Sequence, residues 1–230
     1  MELSRRLEMI LENIDECNCV LDVGTDHGYI PIEVIKRKIS KKAIASDINK
    51  DPLDKAKLNS IFEGVDEEIE LRLGSGLDTI KKNEVDSIVI AGMGGNLIKE
   101  ILENGKNKIK EAASIILLPA QNPEVLREYL YANGYEIIKE DLCVDEDIYY
   151  ELFKVRINES SKTELEKIYY EISPVLLRDK NPLMKEFIEE KINKYTKISN
   201  LIEDDSENAI KRKEELTDKV NILENMMKYC

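Results

Sequence analysis

The stretch Cys19-Val-Leu-Asp-Val-Gly-Thr-Asp-His-Gly-Tyr-Ile-Pro31 joins a short apolar run to the start of an amphipathic segment. Apolar runs of four to six residues without polar alternation are typical of strands that are buried on both faces of a sheet. Glycines directly after such a strand let a ligand approach the backbone, and the N-terminus of the next helix offers free N–H groups. The stretch therefore predicts a strand, a ligand-binding turn and a helix.

The alternation of short apolar runs with longer amphipathic segments continues to residue 157. It begins with helical spacing over 3–14, and it ends with two strands over 135–142 and 148–157 that form an antiparallel hairpin. Alternating strands and helices are typical of βαβ units and a parallel sheet. We therefore predict an α/β, Rossmann-like sheet with a hairpin at one end. The other strands are predicted at 19–23, 43–46, 69–73, 87–91 and 115–118, and the other helices at 29–38, 52–62, 95–104 and 123–133.

The pattern changes near Asn158, and no glycine occurs from residue 162 onward, although the first part has ten. Apolar positions over 188–202 and 209–227 recur at spacings of three and four, which indicates a two-helix hairpin. The sequence thus predicts two domains, 1–157 and 158–230. Either the helices are an ordinary pair packed on the first domain, or they form a protruding coiled-coil arm; the spacing is compatible with both.

The composition narrows the class of protein. The chain has 230 residues, a net charge of −13 and four cysteines, too few and too scattered for a disulfide framework. No apolar stretch is long enough to span a membrane, and the first residues lack the apolar core of a signal peptide. We expect a cytoplasmic protein with reduced thiols, no metal and no membrane partner, existing as a monomer or weak dimer.

Residue types in the first glycine loop favour one kind of cofactor. Asp26 stands where a dinucleotide-binding loop needs its second glycine, and a carboxylate there repels phosphate. It would accept an ammonium or a sulfonium group, and S-adenosylmethionine carries both. Asp47 follows the second strand, where an acid can accept hydrogen bonds from ribose hydroxyls. Gly74-Ser-Gly and Ala91-Gly-Met-Gly-Gly follow the third and fourth strands, so four strand ends are expected to face one crevice.

Four motifs resemble one known family: Asp22-Val-Gly-Thr-Asp-His-Gly-Tyr-Ile-Pro, Arg72-Leu-Gly-Ser-Gly-Leu, Ile88-Val-Ile-Ala-Gly-Met-Gly-Gly and Asn133-Gly-Tyr-Glu-Ile-Ile. They are similar to the bacterial tRNA (adenine(22)-N(1))-methyltransferases, and the likeness extends over roughly 1–157. The resemblance implies a class I methyltransferase fold, S-adenosylmethionine as the methyl donor, tRNA as the substrate and a C-terminal coiled-coil domain.

The resemblance also implies which residues hold the cofactor. Two positions depart from the family pattern. Ser75 stands where an acid is usual, and the glutamine that usually follows the fifth strand directly is missing there, so that either Gln121 takes its role or the role is absent. The implied cofactor-binding residues are Gly24, Asp26, Gly28 and Tyr29 along the methionine part, Asp47 and Ile48 at the ribose and adenine, Gly74, Ser75 and Gly76 beside the adenine ring, and Ala91, Gly92 and Met93 near the sulfonium.

The segment after the fourth strand also bears on the acceptor atom. Ala91-Gly-Met-Gly-Gly offers no side-chain acceptor and no aromatic platform, which argues against transfer to an exocyclic amine. Ring N1 of adenine can attack once it is aligned, and a carboxylate would stabilise the resulting charge. Asp26 and His27 are the predicted catalytic residues. Asp26 would serve the acceptor or bind the cofactor's ammonium, and His27 would shuttle a proton or only pack in the loop.

The distribution of charge leaves room for a nucleic-acid partner. Residues 1–157 carry a net charge of −10, whereas residues 158–230 carry only −3. An acidic chain is a poor nonspecific coat for nucleic acid, but a local basic patch can still bind it. The predicted RNA-binding residues are Arg5, Arg6, Arg178, Lys185, Lys191 and Lys194. The remaining alternatives are a catalytically inactive scaffold, or a methyltransferase that acts on a small molecule or a protein.

Overall fold

The computed structural model describes residues 3–204 and 206–228. The chain divides into two compact units, Met1–Leu165 and Glu166–Cys230. The sequence placed the division at 157/158, eight residues earlier. The backbone explains the difference, because the Asn158 N–H donates to Gly134 O at 2.8 Å and the Thr163 N–H donates to Tyr131 O at 3.0 Å. These bonds hold the connecting segment to the first unit.

The first unit alternates strands with helices in the order that the sequence predicts. Short 3₁₀ turns interrupt it at Gly76–Thr79, Lys106–Lys108 and Glu159–Ser161. The strands are β1 (Cys17–Val23), β2 (Ser40–Asp47), β3 (Ile69–Leu73), β4 (Ser87–Ala91), β5 (Ser114–Leu118), β6 (Tyr135–Asp145) and β7 (Ile148–Ile157). The helices are α1 (Arg5–Glu12), α2 (Tyr29–Lys36), α3 (Lys50–Glu63), α4 (Gly95–Gly105) and α5 (Pro123–Ala132).

The seven strands form one sheet in the order β3-β2-β1-β4-β5-β7-β6. The first five strands are parallel, and β7 pairs antiparallel with both β5 and β6. The predicted Rossmann-like sheet with a terminal hairpin is therefore confirmed. Its order reverses between β1 and β4, and such a switch point leaves a crevice at the carboxyl ends of the strands.

The hairpin between β6 and β7 turns more tightly than the sequence indicated. Its turn consists of Glu146 and Asp147, whose φ angles are 50° and 61°. Two central residues with positive φ match the twist of the flanking strands. The strands consequently extend almost to the turn, and Asp145 pairs with Ile148.

The sheet is covered on both faces by separate apolar clusters. Leu21 and Ile90 point into one cluster with Ile98 and Leu102 of α4. Val20 and Val89 point into the other, which includes α1 and α2. Neighbouring residues of a strand alternate between the faces, so apolar side chains at every position produce a sheet that is buried on both sides.

One ion cluster is fully buried between α5 and the hairpin. The Arg127 guanidinium contacts Glu140 and Glu151, each with an N···O distance of 2.6 Å, and it also lies 4.7 Å from the centre of the Phe153 ring. Burial alone would lower the pKa of Arg127, but the two carboxylates outweigh it and hold the guanidinium charged. The cluster ties β6 and β7 to α5.

The second unit is helical. Its helices are α6 (Ile168–Glu171), α7 (Pro174–Arg178), α8 (Met184–Asn200) and α9 (Glu207–Met227). Ile188, Leu216 and Leu223 are buried, and Glu171 accepts hydrogen bonds from Tyr195 and Lys219. The segment between α8 and α9 includes residue 205, which lies outside the described residues, as does Cys230. The coiled-coil arm stays a prediction.

Two further findings concern only the parts of the chain that the structure describes. None of the helices there has the length and apolar character needed to cross a membrane. No group of three or more His, Cys, Asp or Glu side chains is arranged to hold a metal ion.

Candidate functional site

A cavity of about 420 Å³ opens at the carboxyl ends of β1, β2 and β4. Its volume lies in the range of small-molecule sites, and its position is the switch point of the sheet. Of the sequence-predicted site residues, it brings together Gly24, Asp26, Tyr29, Asp47, Ala91, Gly92, Met93 and Arg6. It also includes Leu7, Ile10, Asp22, Ile30, Leu118 and Tyr150, which were not predicted.

The glycine loop after β1 is shaped by left-handed backbone conformations. Gly24 has a φ of 75° and donates its N–H to Ser46 O at 2.8 Å. A Cβ atom at Gly24 would overlap the Met93 methyl group. Gly28 also has a positive φ, and a Cβ there would lie 2.9 Å from Ala56 Cβ. Gly24 therefore borders the cavity, whereas Gly28 lets α2 and α3 approach each other.

Asp22 lies at the floor of the cavity and is the strongest electrostatic feature that the sequence analysis missed. Burial raises the pKa of Asp22 to about 6; a hydrogen bond from Thr25 opposes this shift, and the charge of Asp47 adds to it. The position was visible in the sequence only as a polar residue inside an apolar strand. A buried acid at this place favours a cationic ligand.

Asp26 and His27 form a pair at the mouth of the cavity. The side chain of Asp26 is 73% exposed, and its Oδ1 atom lies 3.4 Å from His27 Nε2. The His27 ring stacks on Tyr29, with ring centres 5.4 Å apart and planes 11° apart. His27 has a φ of 60°, and its carbonyl oxygen accepts a hydrogen bond from Asn59 Nδ2 at 2.9 Å. The loop is thus held by its backbone, and Asp26 faces solvent and the cavity.

Asp47 lies at the end of β2, on the side of the cavity next to the glycine loop. Its Oδ1 atom accepts the Asn49 N–H at 2.7 Å, which fixes the carboxylate at the start of α3. Ile48, the next residue in the chain, does not line the cavity and is 68% exposed. Asp47 can accept hydrogen bonds from a diol, and Ile48 leaves an apolar surface uncovered nearby.

The segment after β4 forms the floor near Gly24. Gly92 has a φ of 76° and donates its N–H to Leu118 O at 3.0 Å, while Met93 O accepts the Ala120 N–H at 2.8 Å. The Gln121 carbonyl accepts the Gly95 N–H at 2.7 Å. These bonds fix the backbone of the segment, and the Gln121 side chain does not line the cavity.

Three predicted residues after β3 lie away from the main cavity. Gly74 donates its N–H to Asp47 O at 2.9 Å. Ser75 and Gly76 line a separate cavity of about 90 Å³ beside α4. A Cβ on Gly76 would lie 3.2 Å from Ile101 Cγ2, so the 3₁₀ turn packs closely against α4. The main cavity alone thus does not bring all the predicted cofactor residues together.

The predicted RNA-binding residues lie in both units. In the first, Arg5 pairs with Glu12 at 3.2 Å, and Arg6 lines the cavity. In the second, Arg178 pairs with Asp179 at 2.7 Å, and Lys191 lies 4.7 Å from the centre of the Phe187 ring. Lys185 and Lys194 are exposed on α8.

Two comparisons with known sequences point to the same family. The family model described as "TrmK: tRNA (adenine(22)-N(1))-methyltransferase" matches residues 20–225. The tRNA (adenine(22)-N(1))-methyltransferase of Bacillus subtilis strain 168 is 38% identical over 152 residues, which are 66% of this chain and 64% of that relative. The sequence alignment thus spans slightly less than two thirds of the relative.

Solved structures extend the similarity to nearly the whole chain. The crystal structure of the B. subtilis m1A22 tRNA methyltransferase TrmK superposes with a TM-score of 0.86 at 30% identity, covering 98% of this chain and 99% of that one. Streptococcus pneumoniae Sp1610, in complex with S-adenosyl-L-methionine, gives a TM-score of 0.82 at 30% identity, covering 98% and 100%. The family resemblance predicted from the motifs is confirmed: this chain belongs to the tRNA (adenine(22)-N(1))-methyltransferase family.

Proposed function

We propose that this protein transfers a methyl group from S-adenosylmethionine to N1 of adenine 22 in tRNA. The observation that carries the proposal is the cavity at the switch point, where Gly24, Asp26 and Asp47 meet the Ala91–Met93 segment. Family membership supports the type of reaction, and the cavity is the proposed site of that reaction. The enzyme is a S-adenosylmethionine-dependent transferase that modifies tRNA.

The residues around the cavity fit this donor. Asp22 and Asp26 place two carboxylates where an ammonium group and a sulfonium would lie, and Asp47 can accept the ribose hydroxyls. Gly24 leaves room beside Met93 that any larger residue would fill. When bound, S-adenosylmethionine supplies an activated methyl group. The protein contributes orientation, because the backbone around Gly24 and Gly92 is fixed by hydrogen bonds to neighbouring strands.

Methyl transfer to N1 requires an adenine whose N1 atom lies in line with the methyl group of the donor. It also requires a negative charge near the adenine ring. Methylation at ring N1 leaves a positive charge on the adenine, and the exposed Asp26 carboxylate lies at the cavity mouth to stabilise it. His27, 3.4 Å from Asp26, can exchange a proton with that carboxylate or with the base. Asp26 and His27 are the proposed catalytic residues.

The basic residues are proposed to hold the tRNA backbone. Lys185, Lys191 and Lys194 share α8, and Arg178 precedes it. Reversing the charge at Lys191 and Lys194 should weaken tRNA binding and reduce its salt dependence, because fewer counterions are released. Arg5 of α1 is proposed to contribute in the first unit. The protein is proposed to act in the cytoplasm as a monomer or weak dimer.

Two measurements test the proposal. Calorimetry should detect S-adenosylmethionine binding and no NAD binding, because Asp26 occupies the place where a pyrophosphate would need a glycine. Incubation of unmodified tRNA with labelled donor, followed by nucleoside analysis, should give N1-methyladenosine. Label in another nucleoside, or none in the tRNA, would contradict the proposed reaction.

A further inference from the structure

One wall of the cavity is built by elements that carry none of the predicted cofactor-binding residues. Arg6, Leu7 and Ile10 come from α1, Leu118 from the end of β5, and Tyr150 from β7. The glycine loops and Asp47 belong to other strand ends. The cavity therefore has a donor side made of backbone groups and acidic side chains. Its second side is made of apolar side chains, one aromatic ring and one arginine.

Tyr150 provides the aromatic surface of that second side. It is partly buried and packs against the apolar cluster that includes Met9 and Ile10, while it also lines the cavity. Its neighbour Tyr149 does not line the cavity. Successive side chains of a strand point to opposite faces of the sheet, which explains why only one of the two tyrosines reaches the site.

Arg6 fixes the position of Tyr150. Its guanidinium carbon lies 5.5 Å from the centre of the Tyr150 ring, and its Nη1 donates to the Tyr150 hydroxyl oxygen at 3.4 Å. Its Nε atom lies 3.5 Å from Asp145 Oδ2, at the other strand of the same hairpin. Arg6 thus joins α1 to the hairpin around the ring, and its guanidinium is already engaged by protein groups.

The chemistry of this wall matches a planar nucleobase. A base can stack on an aromatic ring, and the apolar side chains of Leu7, Ile10 and Leu118 exclude water around it. The donor side instead has the acids that suit an ammonium group and a ribose. A base that is taken out of a stack needs such a partner to replace its lost neighbours.

We propose that Tyr150 stacks on the target adenine, and that Arg6 is a positioning residue that holds the Tyr150 ring for it. The inference rests on the proposed function, since it assigns the acceptor side of the same cavity. It gives Arg6 a role different from a phosphate contact of the tRNA backbone. It also makes Tyr150 a residue that touches the substrate.

The test compares three single variants with the wild-type enzyme on unmodified tRNA. Tyr150→Leu removes the ring but keeps an apolar side chain, and it should lower kcat/KM about tenfold to a hundredfold. Tyr150→Phe retains the ring and should remain within about threefold of wild type, because stacking needs only the ring face. Tyr149→Leu is the matched control on the other face of the strand and should leave kcat/KM unchanged.

Arg6→Gln separates positioning from phosphate binding. A positioning residue should lower kcat/KM without changing the slope of log affinity for tRNA against log salt, whereas a phosphate contact should reduce that slope by about one. The double variant Arg6→Gln/Tyr150→Leu should lose no more than Tyr150→Leu alone, because both changes act on one stacking contact. Additive losses with a reduced slope would overturn the role assigned to Arg6.

The outcomes distinguish this inference from the proposed function. Wild-type enzyme that forms no N1-methyladenosine would reject the proposed function and the inference with it. Active wild type with equal kcat/KM for Tyr150→Leu and Tyr149→Leu would reject only the inference. S-adenosylmethionine affinity, measured by calorimetry, should be unchanged in Tyr150→Leu; a tenfold loss would assign this wall to the donor and would also overturn the inference.

Discussion

The Oδ1 atom of Asp26 lies 3.4 Å from Nε2 of His27, at the mouth of the cavity. Replacing Asp26 with Asn keeps the shape of the side chain and removes its charge. We expect kcat/KM for tRNA methylation to fall at least about a hundredfold, because the charge that develops on the adenine loses its carboxylate. Steady-state kinetics with labelled donor measures the loss.

The matched control for Asp26 is Asp15→Asn. Asp15 is similarly exposed and pairs with Lys154 at 2.7 Å, but it does not line the cavity. It should retain full activity. Equal activity of the two variants would remove Asp26 from the catalytic machinery.

The Asp47 carboxylate is expected to determine cofactor affinity. Asp47→Ala removes the acceptor for the ribose hydroxyls, and the Kd for S-adenosylmethionine should rise about tenfold to a hundredfold. Asp54→Ala, at an exposed acid of α3 that lies 3.8 Å from Lys50, should leave the Kd unchanged. Calorimetry on both variants checks this, and an unchanged Kd for Asp47→Ala would place the ribose elsewhere.

Gly24 and Gly64 offer a comparison between a steric effect and a backbone effect. Both have φ near 70°, but a Cβ on Gly24 would overlap Met93 whereas one on Gly64 would meet nothing within 4 Å. Alanine should destabilise the fold at either site by about 1 kcal/mol. Only Gly24→Ala should also weaken S-adenosylmethionine binding, measured by calorimetry. Equal cofactor affinity in both variants would contradict the close approach at Gly24.

The buried Asp22 predicts a pH-dependent stability. Burial raises its pKa from 3.8 to about 6, so the folded state binds the proton more tightly than the unfolded state. The resulting stabilisation is complete below about pH 4 and is lost as the pH rises through 6, a difference of about 3 kcal/mol. Asp22→Asn should therefore gain stability relative to wild type between pH 4 and 7. Urea unfolding at both pH values, without cofactor, measures it; a constant difference would contradict the shift.

The buried cluster around Arg127 and the exposed arginine–glutamate pair of the hairpin should differ sharply in their contribution to stability. Arg127→Met leaves Glu140 and Glu151 buried without a cation, and we expect a loss of about 3–5 kcal/mol. Arg156→Met breaks the exposed pair with Glu136 and should cost at most about 1 kcal/mol. Denaturant unfolding of both variants tests the contrast, and similar losses would mean that the buried cluster does not hold the hairpin.

Local patterns were sufficient to predict the sheet and the meeting of Gly24, Asp26 and Asp47 at one cavity. The apolar runs that end at Val23, Asp47 and Ala91 reveal strands, and parallel strands bring their carboxyl ends to one edge. The convergence of Gly24, Asp26 and Asp47 could therefore be predicted without knowledge of long-range packing. The antiparallel hairpin could also be predicted, because its two strands are close in sequence.

The wall of the cavity that contains Arg6 and Tyr150 could not be predicted in this way. Arg6 and Tyr150 meet across 144 residues, and no local spacing encodes such a contact. The raised pKa of Asp22 depends on its burial, which the identity of one polar residue in a strand does not reveal. Ser75 and Gly76 lie beside α4 because the 3₁₀ turn packs against Ile101, a contact between distant segments.

The most direct test of the proposed reaction uses two tRNA transcripts that differ only at position 22. With S-adenosylmethionine and this protein, the transcript with adenine 22 should yield N1-methyladenosine, and reverse transcription should stop there because N1 is blocked for base pairing. The transcript with guanine 22 should yield neither. A stop at another adenine, or equal methylation of both transcripts, would contradict the proposed reaction.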